Sequence, residues 1–91
     1  MPVDKEIQFS KHAMDQMIDR GTSTEEVKTA IRDGEEIPAK KGRKAYRKNF
    51  PFESYWKRRY YSIKQVMPIV REELGSIMVI TVYVFYIGEK K

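Results

Sequence analysis

Residues 9–37 read FSKHAMDQMIDRGTSTEEVKTAIRDGEEI, and two helices can be read directly from them. Ser10 is a good N-cap, its hydroxyl free to accept from the first backbone N–H groups. Ala13, Met14, Met17 and Ile18 recur at helical spacing, and Gly21 stands where a left-handed C-terminal cap is expected. The pattern predicts a first helix over about 10–20. Ser23-x-x-Glu26 is a capping box that starts a second helix. Val27, Ala30 and Ile31 form its apolar stripe and Gly34 its stop, so it spans about 24–33. The link between them is short enough to make a helical hairpin. Helices of this length are marginal alone, so their apolar faces need another layer to cover them.

The rest of the chain supplies that layer. Lys44, Tyr46, Lys48 and Phe50 alternate with Ala45, Arg47 and Asn49, the period of a strand over 44–50. Tyr46 and Phe50 share a face and are assigned to the core. PFESYWK, 51–57, reads as an aromatic connection that leaves Tyr55 and Trp56 exposed. A longer strand follows over 58–72, with Pro68 making it an edge, bulged or broken at that point. Leu74-Gly75 is a turn, and the β-branched, aromatic run 77–86 is the strongest strand, expected to be central. The expected fold is α+β, an N-terminal helical hairpin packed on a three- to four-stranded antiparallel sheet, with residues 1–91 as one domain.

Charge is divided unevenly along the chain. Residues 1–36 hold five Lys or Arg against nine acids, whereas 37–70 hold ten against Glu53 alone, within a net charge of +5. That asymmetry points to a polyanionic partner meeting the middle of the chain. Lys40, Lys41, Lys44, Lys48, Arg58 and Arg59, interleaved with Tyr55 and Trp56, are the candidate nucleic-acid contacts. Cations there would neutralise phosphate while exposed rings stack on unpaired bases. The chain has no cysteine, which excludes disulfides and thiolate metal sites, and no metal or cofactor is expected. The longest apolar run is too short for a spanning helix, and the first residues, MPVDKEIQF, lack a secretory pattern. A cytoplasmic protein without a membrane partner is the expectation.

His12, the single histidine, lies almost opposite the apolar centre of its helix, beside Asp15, Gln16 and Asp19. A helix N-terminus disfavours the imidazolium, which suits a proton acceptor; a plain surface histidine is the alternative.

Phe9, Ser10, His12, Ala13, Met17, Arg20, Gly21, Ser23, Glu25 and Val27 together resemble the opening motif of the family known as domain of unknown function 4258. The later GEEI, the basic start at Gly42-Arg43-Lys44 and the closing 79–83 also fit. Gln16 and Thr22 depart from it, standing where that family often has Arg and Ile. The resemblance implies helices leading into an antiparallel sheet, and a distant similarity to toxin-type ribonucleases of the RelE and BrnT kind. For those it implies metal-independent RNA cleavage, with His12, Arg20, Arg43 and Arg47 as the catalytic candidates. Three functional expectations follow: an RNA-cleaving domain; a non-catalytic nucleic-acid-binding module, with RNA favoured over DNA; or an adaptor that docks an acidic protein on its basic stretch.

Overall fold

The computed structural model describes residues 5–89; the span read as one domain also includes residues 1–4, 90 and 91, which lie outside the described ones. The elements run β1 (Glu6–Phe9), α1 (Lys11–Arg20), α2 (Thr24–Asp33), β2 (Glu35–Pro38), β3 (Lys44–Trp56), β4 (Arg59–Glu73) and β5 (Ser76–Glu89). The fold is α+β, with five strands in the order β1-β5-β4-β3-β2. The sheet is mixed rather than antiparallel, because β1 pairs with β5 in parallel. The two additional strands are four residues each, too short to show an alternating pattern, and β2 carries Glu35, Glu36 and Pro38.

Both helices begin and end where local chemistry directs. Ser10 and Ser23 accept from Ala13 N–H and Glu26 N–H, and Gly21 takes a left-handed φ of 80°. Gly34 ends α2 in an extended conformation; its glycine is required by space, since a Cβ would collide with the Ala30 and Arg47 carbonyls. Half of the expected capping box forms. The Glu26 carboxylate turns away from its own helix start toward β4.

The core lies between the helices and one sheet face. Ala13 and Met17 of α1 and Val27 and Ile31 of α2 close over Val66, Val70, Ile77, Val79 and Val82. Tyr46 and Phe50 pack against this cluster, as their shared strand face requires.

Three expectations change. The segment 51–57 is strand, not connection: β3 runs to Trp56 through a bulge between Pro51 and Ser54. Pro68 lies buried in the middle of the sheet's central strand, so the edge and the break are excluded and the bulge alone is met, as a register shift beside it. The sheet accommodates the proline with irregular pairing. Toward β3 the register is kept but no pair forms between Ala45–Ile69 and Lys48–Val66, and toward β5 a register shift falls between Ile69 and Val70. Finally, Met14 and Ile18 are 46% and 79% exposed, so neither anchors α1. At 100° per residue the inward face is Ala13, Gln16, Met17 and Arg20, rotated from the one that hydrophobicity alone selects.

The polar residues on that face have backbone to meet. β1 pairs with β5 only as far as Val79, leaving the outer edge of β5 bare. From there α1 takes over with side chains. Ser10 Oγ donates to the Ile80 carbonyl (3.2 Å), Gln16 Oε1 accepts from Val82 N–H (2.9 Å), and Arg20 Nη1 donates to the Val82 carbonyl (2.7 Å). The second sheet face is left open. Tyr83, Phe85 and Ile87 project there, 38%, 44% and 42% exposed, and no described helix lies over them.

Candidate nucleic-acid interface

The basic residues of the middle segment separate into two groups at opposite ends of β3. Thirteen extended residues set them roughly 40 Å apart. At the start of the strand, Lys40, Lys41 and Arg43 are exposed in the loop from β2. Their neighbours in the strand are engaged. Lys44 lies 3.3 Å from Glu72 and 3.7 Å from Glu36. The hydrogen bond to Glu72 and the charge of Glu36 raise its ammonium pKa. Arg47 pairs with Glu35 at 2.7 Å, and Lys48 sits over the Phe50 ring.

The other group forms the tip of the β3–β4 hairpin. Trp56 pairs with Arg59, leaving Lys57 and Arg58 as a two-residue turn, with φ of 50° and 74°. Both values are left-handed, as a type I′ turn demands, and Asn-Gly is the pair that usually fills it. Here two long cations hold it instead. Behind them Tyr55, 69% exposed, meets Tyr60 edge-on at 5.5 Å. Trp56 is not free as expected: its ring stacks on Tyr86 at 4.9 Å, with Lys57 above it. The tip therefore offers two cations and one open tyrosine on a rigid aromatic base.

That base is a buried polar cluster not identified from sequence. Lys64, only 8% exposed, donates to the Gly21 carbonyl (2.9 Å) and pairs with Glu26 (2.8 Å), over the Phe52 ring. Thr22 Oγ1 donates to the same Glu26 carboxylate, and Tyr86 OH donates to the Arg20 carbonyl, both at 2.7 Å. Burial, reinforced by the Glu26 charge, pushes the Tyr86 phenol up to about 12. Gly21 is indispensable here, since a Cβ would reach within 2.7 Å of both Trp56 and the Tyr86 hydroxyl. A signal for Lys64 existed: it shares the parity of Val66 and Val70, so β4 places a lysine on its apolar face.

The four catalytic candidates are not brought together. His12 is exposed in the first turn of α1 and makes no hydrogen bond or ion pair among the described residues. Arg20 is bound into the β5 edge and lies 5.4 Å from the Tyr83 ring. Arg43 lies at the β2–β3 loop, two strands removed from β5. Arg47 projects with Ala45 and Asn49 on the open sheet face, opposite the helices that carry His12. No group of three or more His, Asp or Glu suited to a metal occurs among the described residues. No described helix is long and apolar enough to cross a membrane.

Comparison with known proteins places the sequence without describing its activity. No curated protein and no solved structure matches the chain. A family model aligns with residues 9–84, which takes in the Arg20-Gly21 turn, the Lys64 cluster and most of the sheet. By that match the chain belongs to the family described as domain of unknown function, DUF4258.

Proposed function

We propose that this domain binds single-stranded nucleic acid, RNA in preference to DNA, through the β3–β4 hairpin tip. One observation carries the reading: Lys57 and Arg58 occupy left-handed turn positions that favour small residues. Holding non-glycine residues there costs on the order of 1 kcal/mol each. A solvated basic loop gains nothing from that strain, whereas a phosphate-binding loop does. Tyr55 beside the cations supplies a π-face for an unpaired base. Lys40, Lys41 and Arg43, far along the same strand, extend the footprint only for a strand long enough to reach them.

Fluorescence anisotropy with a labelled single-stranded RNA, titrated over a salt series, tests this. Binding should weaken steeply with salt, and Tyr55→Ala should reduce affinity by about tenfold, the effect of one lost base stack. An affinity that ignores salt removes phosphate from the account. RNA integrity followed in EDTA in the same samples bears on RNA cleavage of the toxin type. Cleavage abolished by His12→Ala would support that reading in place of simple binding.

A further inference from the structure

The two edges of the sheet are finished differently. β2, on one side, is four residues long and carries Glu35, Glu36 and Pro38, the devices that keep a strand edge from pairing with another chain. On the other side, β1 covers β5 through Val79, and Ser10, Gln16 and Arg20 cover Ile80 and Val82. From Tyr83 onward no backbone bond covers the edge among the described residues, although the Arg20 guanidinium stands 5.4 Å from the Tyr83 ring. Val82 turns both its N–H and its C=O toward α1, away from β4. By alternation Val84 and Tyr86 direct theirs the same way, and neither group has a partner among the described residues. The segment 83–87, YVFYI, has no charge, proline or bulge, and β4 holds it straight in continuous register. Beyond it, Gly88 at φ +79° turns its carbonyl to Ser62 and ends the exposed run.

We propose that this edge pairs with the same edge of a second copy, antiparallel across a two-fold axis at Phe85, joining two sheets into one of ten strands. The outward-facing residues fit only certain registers. With the axis at Phe85, Val84 meets Tyr86 of the partner subunit and Tyr86 meets Val84 of the partner subunit, so four backbone hydrogen bonds form. On the open face Phe85 then opposes its own counterpart and Tyr83 opposes Ile87 of the partner subunit, pairings of aromatic and β-branched side chains that favour a ladder. Within 83–87 self-pairing brings no charges together, although the chain carries +5 overall. The antiparallel arrangement also sends the two basic tips to opposite ends, roughly 45 Å apart at the ordinary strand rise. The pairing is independent of nucleic-acid binding.

Sedimentation velocity of the full chain tests the proposal, with amide hydrogen exchange read across the same concentrations. The expected result is a concentration-dependent species of twice the 10.8 kDa chain mass, with Val84 and Tyr86 amides protected only in that species. Val84→Pro removes an N–H that no intrachain bond uses, so it should leave a folded monomer. Phe85→Lys, which sets like charges opposite each other, should do the same. A chain that stays monomeric at all concentrations overturns the proposal. So does a dimer that survives Val84→Pro but not Phe85→Lys, which would place the contact on the open sheet face. Protected Val84 and Tyr86 amides in the monomer would also refute it, since the edge would then be covered by the chain itself. Exchange on the wild type decides the matter even if Val84→Pro fails to fold.

Discussion

Replacing Lys57-Arg58 with Asn-Gly should strengthen the fold and weaken its binding in the same molecule. Both native residues sit at positive φ in a two-residue turn, and Asn-Gly is the pair that such a turn favours. Relief of the left-handed strain should add about 1 kcal/mol, which for a chain of this size raises Tm by roughly 5 °C. Two phosphate-facing cations go at the same time. For single strands each contact contributes about 0.7 to the slope of log K against log salt, so the slope should fall by about 1.4. At 0.1 M salt that term corresponds to roughly 25-fold in affinity, shrinking to about tenfold at 0.2 M. Differential scanning calorimetry and anisotropy on one preparation measure both sides. A gain in Tm with unchanged RNA affinity and slope would refute the assignment of binding to the tip. A loss of Tm would refute the account of the turn as strained.

Gly21→Ala should destabilise the chain by about 2–3 kcal/mol in chemical denaturation, since a left-handed φ and a Cβ clash with Trp56 and Tyr86 add together. Lys64→Met leaves the partly exposed Glu26 carboxylate without its cation and should cost about 1–3 kcal/mol, with much of this recovered by adding Glu26→Gln. A Lys64→Met chain as stable as the wild type would mean the pair contributes little. Gln16→Ala strands the Val82 N–H and should cost about 1 kcal/mol, with faster exchange at that amide. Tyr86 is protonated in the fold up to about 12 against an ordinary 10, so its contribution is complete below pH 10 and lost as pH rises toward 12. Thermal melts across that window should show the decline, and Tyr86→Phe should flatten part of it.

The helices were legible because their signals are local. Ser10, Ser23, Gly21 and Gly34 act within one turn of themselves, and the observed bounds follow them. What lies inside a helix depends on its neighbour. The hydrophobic stripe selects Met14 and Ile18, yet the neighbour is a strand edge that offers N–H and C=O groups. Gln16 and Arg20 therefore face inward, and the two apolar residues are left in solvent. β2 is hidden for a related reason: four residues show no period, and only the pairing partner makes them a strand. Pro68 was read by its own restriction, whereas the irregular pairing beside it allows it to sit in the central strand. Of the site, Tyr55 and Arg58 were found from composition; the left-handed turn that presents them depends on β3 continuing past Pro51, where the sequence reads as loop.

The family motif and the proposed site occupy different residues, and this affects what the motif can say about activity. Ser10 and Ser23 cap helices, Arg20 closes a strand edge, and Gly21 makes room for Trp56 and Tyr86. Each is needed for the helical hairpin to seat on the sheet, whatever the domain binds. A pattern built on such residues identifies a scaffold. His12 differs, matching the motif while making no hydrogen bond, ion pair or ring contact among the described residues. If His12 acts on a ligand, the reach must come from the ligand, since the tip lies at the other end of the layer. A domain that only binds through its tip would tolerate His12→Ala with no change in stability or RNA affinity. A domain that uses His12 would show that substitution in activity while its melting temperature stays fixed.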